Sequence, residues 1–85
     1  MESKTYWTRV RGDVAKEMCA DVKQLAWGVY DVLRSIGLND SCPFYQAEDN
    51  CCLLRSVCDE DRYSRVKGIL EWKFPGLCEF GVEVE

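Results

Sequence analysis

The chain contains no histidine, the side chain that most often acts as a general acid or base near neutral pH. A cysteine nucleophile would therefore lack its usual imidazole partner. No glycine-rich phosphate-binding loop is present, and the carboxylates fall at positions typical of a solvated surface. We therefore expect a protein that is not an enzyme.

No C-x-x-C pair occurs among the six cysteines, which are Cys19, Cys42, Cys51, Cys52, Cys58 and Cys78. Structural zinc sites normally use closely spaced pairs of ligands, so this spacing fits no standard zinc site. A thioredoxin-like redox motif is missing for the same reason. The pattern favours reduced, mostly buried thiols and no cofactor, with Cys52 pointing outward. Disulfides and a metal site stay open as alternatives.

The sequence also lacks a long apolar run. Its first residues, MESKTYWTRV, are too polar for a secretory signal, and no segment approaches the length of a membrane span. The net charge is −4, and lysine and arginine are spread along the chain. Binding to nucleic-acid backbones or to membranes is therefore disfavoured. We expect a cytoplasmic protein whose acidic surface suits a partner with a basic surface.

What the chain does contain is typical of a single globular domain over residues 1–85. Of its residues, 47% are hydrophobic and 31% are charged, a balance found in folded rather than disordered proteins. A domain of this size buries a modest core, so each large apolar side chain inside it matters for stability.

Two segments at the chain ends alternate polar and apolar residues, the pattern of a half-buried strand. One is KTYWTRVR, residues 4–11, where Tyr6 and Val10 share a face and Trp7 lies on the other. The second covers residues 77–84. Because a strand needs a neighbour for its backbone polar groups, we expect these two to pair with each other and to leave one edge open.

Three helices are predicted between these strands. Apolar residues at helical spacing run from 14 to 36, and Gly37 follows as a helix-ending residue. In that helix Leu25, Val29 and Val32 should be buried. Two more helices are predicted over 47–57 and 59–74, after a loop at 38–46. The expected fold is α+β, with three helices packed on a small sheet formed by the N- and C-terminal strands (β-α-α-α-β).

Candidate contact residues are acidic or aromatic. Asp13, Glu17 and Asp21 fall four apart and would share one side of the first helix. An ordinary solvated face is the competing interpretation of such a charge pattern. Trp7 would anchor a partner if its sheet face is uncovered. The glutamates Glu79, Glu83 and Glu85 would limit non-specific pairing at the edge of the sheet.

Four short fragments resemble a family of small anti-CRISPR proteins. They are KTY near the start, CPFYQAED at 42–49, SRVK at 64–67 and CEF at 78–80. The resemblance implies a short, acidic, phage-encoded inhibitor that binds the nuclease domain of an RNA-guided DNA-cutting effector. The first helix does not match, and Leu77 precedes Cys78 where the family has polar contact residues, so no functional residue is transferred.

The function predicted from the sequence is a small acidic inhibitor that occludes a surface on a larger protein or protein complex. The favoured setting is a phage or mobile-element antagonist of a host defence nuclease, in the host cytosol. Two alternatives stay open. One is a cysteine-based metal or redox sensor, and the other is a homodimeric structural module that pairs through the edge strand.

The cysteine pattern gives a first testable prediction. Thiol titration of denatured protein prepared without oxidation and without added reductant should count all six cysteines, and mass spectrometry under native conditions should detect no bound metal. A stoichiometric zinc ion, or a lower thiol count, would contradict this prediction and favour the sensor alternative.

Overall fold

The computed structural model describes residues 3–38 and 42–83. Within them lie four strands and three helices, so the α+β class expected from the sequence is confirmed, with more strands than predicted. In chain order the elements are β1 (Lys4–Arg11), α1 (Gly12–Glu17), α2 (Val22–Ser35), β2 (Phe44–Gln46), β3 (Cys51–Cys58), α3 (Glu60–Lys73) and β4 (Cys78–Val82).

The four strands form one antiparallel sheet in the order β2-β3-β1-β4. Trp7 of β1 lies opposite Arg55 of β3 on one side and opposite Gly81 of β4 on the other. The predicted pairing of the two terminal strands is therefore present, but β1 is an inner strand. If α1 and α2 together count as the first helix, this is the connectivity of the split β-α-β, or ferredoxin-like, arrangement.

The helix predicted over 47–57 is wrong, because this segment forms a turn followed by β3. The turn ends at Asn50, whose φ is 47°, and the backbone N–H of Asn50 donates to the carbonyl of Ala47 at 3.3 Å. β3 then pairs with β1 along its whole length. Strand pairing of this extent decides the conformation of a segment whose local composition is compatible with either state.

The single helix predicted over residues 14–36 is divided into α1 and α2. The interruption contains Cys19, which has a φ of 56°, and Asp21, whose side chain accepts a hydrogen bond from the backbone N–H of Lys23 at 2.9 Å. Asp21 is therefore the N-cap of α2. The apolar spacing continues across the interruption, so periodicity alone could not locate it.

Two glycines have positions that a side chain would disturb. At Gly12, where α1 begins, an added Cβ would lie 1.8 Å from the carbonyl oxygen of Asn50, so the β2–β3 turn packs against bare backbone. Gly37 has a φ of 88° and ends α2 as the sequence predicted, because Leu38 N–H then reaches the carbonyl of Leu33 at 2.8 Å.

The core lies between α2 and α3 and a single face of the sheet. Val29 and Val32 are buried as predicted, whereas Leu25 is only half-buried. Cys52 is 1% exposed and faces the helices, so its predicted outward orientation is wrong. Residues 51–58 form a strand where a helix was predicted. Alternation along that strand places Cys52, Leu54, Ser56 and Cys58 on the same face. The other buried apolar residues are Tyr6, Val10, Ala15, Val22, Ala26, Leu33, Leu38, Cys51, Tyr63, Val66, Leu70 and Leu77.

Tyr63 fixes α3 against the sheet. Its ring stacks on that of Tyr6 with the centroids 4.1 Å apart. Its hydroxyl donates a hydrogen bond to the carbonyl of Trp7 and lies 3.2 Å from the Thr8 hydroxyl. A backbone carbonyl and a buried threonine are thereby satisfied by one side chain, as buried polar groups require.

The core packing predicts a large loss of stability for Leu33→Ala. Leu33 is 1% exposed, so its truncation should lower the free energy of unfolding by about 2–5 kcal/mol. Leu25→Ala should cost less, since that side chain is half-buried. Urea denaturation gives both values, and Trp72→Ala is the control because Trp72 is 80% exposed. Equal losses in all three variants would contradict this core.

A buried tyrosine hydroxyl and a partly buried cysteine thiol predict a loss of stability at high pH. Burial raises the pKa of the Tyr63 hydroxyl from 10.0 to about 12 and that of the Cys78 thiol from 9.0 to about 12. The unfolded chain therefore loses these protons at a lower pH than the folded protein. Stability from both groups is complete below pH 9 and should fall as the pH rises towards 12.

Urea denaturation across this range, with a reductant present, tests the linkage. Tyr63→Phe and Cys78→Ala should each show a smaller fall in stability with pH than the wild type. Tyr45→Phe is the control, because Tyr45 is an exposed tyrosine. If Tyr63→Phe and Tyr45→Phe behave alike, burial of Tyr63 is not the cause of the pH dependence.

Candidate protein-binding face

The sheet carries helices on one side only within residues 3–38 and 42–83. Both α2 and α3 pack on the side that bears Tyr6, Thr8 and Val10. Alternation along each strand turns the remaining side chains to the other side, which we call the open face. Its members are Thr5, Trp7, Arg9, Arg11, Phe44, Gln46, Cys51, Leu53, Arg55, Val57, Glu79, Gly81 and Glu83.

An apolar group crosses the middle of the open face. Phe44 of β2 lies directly opposite Leu53 of β3. Trp7 lies opposite Arg55 and is therefore diagonal to both Leu53 and Val57. Phe44 is 65% exposed and Val57 is 48% exposed. We call these four residues, Trp7, Phe44, Leu53 and Val57, the open-face patch.

Ion pairs border the patch along β1 and β4. The guanidinium groups of Arg9 and Arg11 each approach Glu79 at 3.7 Å, and Arg11 also contacts Asp13 at 2.7 Å. The hydrogen bond from Arg11 is the main reason that the pKa of Asp13 lies below its ordinary value. Positive charge on this side of the face is therefore offset by neighbouring carboxylates.

Arg55 connects the charged border to the patch. Its guanidinium contacts Glu83 at 3.1 Å and lies over the Trp7 ring, 5.7 Å from the ring centroid. A paired arginine stacked on tryptophan holds that ring in place while leaving part of it accessible. Because each of the three arginines on the open face has an acidic neighbour, the face lacks the excess positive charge that phosphate backbones require.

Cys51 belongs to the open face, but its thiol is buried. It is 1% exposed, and its Sγ donates to the side-chain oxygen of Gln46 at 3.7 Å. Hydrogen bonding with Cys51 is also the main cause of the raised pKa of Arg9. The thiol thus supports the border of the face rather than offering a reactive group to solvent.

Four of the six contact residues predicted from the sequence come together here. Trp7, Glu79 and Glu83 lie on the open face, and Asp13 joins its border through Arg11. Glu17 and Asp21 do not join them. The expected acidic stripe on one helix is wrong because Glu17 ends α1, whereas Asp21 caps the separate helix α2.

The sequence interpretation missed Phe44, Leu53, Arg55 and Val57. The sequence patterns place Phe44 in a predicted loop and the other three in a predicted helix, which hides their common orientation on one sheet face. A usable signal was present, because Leu53, Arg55 and Val57 alternate with Cys52, Leu54, Ser56 and Cys58. Glu85, the third edge glutamate, and Val84 lie outside the described residues.

Three other features bear on function in the part of the chain that the structure describes, namely the thiols, possible metal ligands and helix lengths. All six cysteines are thiols, with Cys19 and Cys42 exposed. No group of three or more cysteine, aspartate or glutamate side chains in residues 3–38 and 42–83 is placed to hold a metal ion. None of the described helices has the length and apolar character needed to cross a bilayer.

Comparison with protein-family models, curated proteins and solved structures finds no significant match. The ferredoxin-like connectivity describes the fold alone and carries no function, since unrelated activities share it. A function can therefore be inferred only from the surfaces of this chain.

Proposed function

We propose that this protein is a non-enzymatic binding module that covers a surface of a larger protein with its open face. The observation that carries the proposal is the open-face patch, an aromatic and aliphatic group on an uncovered sheet. Exposed apolar patches on small soluble domains often mark interaction sites. Tryptophan and arginine are also the residue types that most often dominate binding energy at protein interfaces.

The arrangement of charge favours a protein partner over a nucleic acid. The apolar residues are central and the ion pairs lie around them, which is the usual distribution in protein interfaces. Aromatic residues on a sheet can also stack on nucleic-acid bases, but such sites combine stacking with a positively charged groove. Here Glu79, Asp13 and Glu83 offset the positive charge.

The area of the face limits the partner's footprint. At about 4.8 Å between strands and 3.3 Å per residue, the four strands present roughly 400 Å² in projection. A standard interface buries about 800 Å² on each partner. The border of the sheet, including the exposed part of α1 beside Asp13, would therefore join the contact, and a broad, shallow partner surface fits best.

The partner class that we propose is a host defence nuclease complex in the cytoplasm, with the protein acting as its antagonist. Support comes from the resemblance to small anti-CRISPR proteins. Two of the fragments that carry it contribute to the open face, because CPFYQAED supplies Phe44 and CEF supplies Glu79. Inhibition would result from occlusion, so no chemistry by this chain is needed.

DNA cleavage by a panel of purified RNA-guided nucleases tests the proposal. The protein should inhibit one of them, and Trp7→Ala should raise the half-inhibitory concentration about thirtyfold, as expected for loss of a hot spot of about 2 kcal/mol. Trp72→Ala is the matched control, because Trp72 is an exposed tryptophan on α3. Equal effects of the two variants would contradict binding through the open face.

Two further measurements separate the competing interpretations. A photo-crosslinking residue at Leu53 should capture the inhibited nuclease, whereas the same residue at Ile69 on α3 should not. A labelled single-stranded oligonucleotide should bind weakly at physiological salt. Tight oligonucleotide binding that Trp7→Ala abolishes would overturn the protein-binding proposal. Absence of inhibition across the panel would overturn the antagonist role.

A further inference from the structure

The outer edge of β4 offers unused backbone groups. The N–H of Glu83 donates to the carbonyl of Thr5 at 2.8 Å, and the carbonyl of Leu77 accepts from Arg11 at 3.0 Å. In an antiparallel ladder, every second residue directs both its backbone groups to the same neighbour. The N–H and C=O groups of Cys78, Phe80 and Val82 therefore point away from β1, and no other strand in residues 3–38 and 42–83 pairs with β4.

A groove runs beside this edge, between β4 and α3. Its volume is about 290 Å³, and its walls include Tyr63, Ser64 and Lys67 from α3 and Phe80 and Val82 from β4. The Phe80 ring packs edge-on against Tyr63, with the centroids 6.1 Å apart. We call the Phe80 and Tyr63 rings the apolar floor of the groove. The Tyr63 ring also holds α3 against the sheet, so this floor is part of that contact.

The charge of the groove is opposite to that of the whole protein. Lys4 and Lys67 line it with Glu60 as the acidic residue, whereas the net charge of the chain is −4. The Nζ of Lys67 lies 5.8 Å from the centroid of the Phe80 ring. An ammonium group beside this partly buried ring provides a place for a carboxylate next to an apolar side chain.

A strand added to β4 would use both the unpaired backbone groups of that edge and the groove beside it. Residues paired with Phe80 and Val82 would direct their side chains to the α3 side of the sheet, because cross-strand partners share a face. Those side chains would enter the groove, and the residues between them would extend the open face. Recognition of extended peptides between an edge strand and a helix has this form.

We propose that β4 and α3 form a second binding site, which takes an extended peptide segment with an apolar residue over Phe80 and an acidic residue at Lys67. The occupant follows from the unpaired backbone groups, the apolar floor and the two lysines. A second copy of this chain fits less well. Antiparallel self-pairing of β4 would bring the lysines of the two grooves together and place Glu79 of each copy near Glu83 of the other.

Selection from a displayed library of random decapeptides tests the site, with the wild-type protein as bait. Enriched peptides should alternate apolar and polar residues and carry acidic side chains. NMR titration with an enriched peptide should shift the amide signals of Cys78, Phe80, Val82 and Lys67. Val82→Pro should weaken binding about tenfold or more, since it removes one backbone donor from the new ladder.

Each variant that is expected to weaken peptide binding has a matched control. The Val82 N–H points outward, so proline there breaks no bond to β1, and Val82→Ala is the control that retains the donor. Lys67→Glu should weaken binding of the acidic peptide, whereas Lys73→Glu, on the same helix outside the groove, should not. Circular dichroism checks that each variant is folded.

Three results would overturn the proposal. One is that no peptide is enriched, or that the enriched peptides are basic. Another is that the shifted signals lie around Phe44 and Leu53, which would assign the peptides to the open face. The third is a homodimer in light scattering that Val82→Pro dissociates. Nuclease inhibition is measured separately, so failure of this site leaves the proposed role of the open face to its own test.

Discussion

Every surface of interest depends on the inner position of β1 in the sheet. Because β1 pairs with β3 on one side and β4 on the other, its alternation sets the orientation of three strands at once. Tyr6, Thr8 and Val10 then face the helices, and Trp7 faces away. A shift of one residue in this register would exchange the core for the open face. The contacts of Tyr63 with Tyr6, Trp7 and Thr8 oppose such a shift.

The same register explains why the open face can remain exposed without carrying unpaired charge. Arg9 lies directly opposite Glu79, and Arg55 reaches Glu83 across β1. Exposed ion pairs of this kind add little to stability, since solvent screens them. In the proposed complex, their main effect would be on recognition. They would hold hydrogen-bonding groups in fixed positions around Trp7, and the apolar patch would supply most of the binding energy.

The sequence predicted the elements whose patterns are local and strong. These are β1, the helix predicted over 59–74 that forms α3, the strand at β4 with its pairing to β1, and the helix end at Gly37. β3 was missed although its residues alternate, since a short segment rich in cysteine and leucine is also compatible with a helix, and only pairing with β1 decides between the two. The division of the first helix was also hidden, because Val14 and Val22 keep helical spacing across the turn at Cys19. The sequence identified only part of the candidate site, because Leu53 and Val57, half of the open-face patch, belong to the missed strand β3.

The two proposed sites share β4 and are therefore not independent in space. Glu79 and Glu83 project to the open face, whereas Phe80 and Val82 between them line the groove beside α3. A peptide strand added to β4 would extend the sheet by about 4.8 Å and enlarge the open face by its own outward side chains. A partner that supplies such a strand and also covers Trp7 would gain from linking the two contacts, because the second then forms at high effective concentration. If both proposals hold, a single large partner that wraps the β4 edge would bind more tightly than two separate small ones.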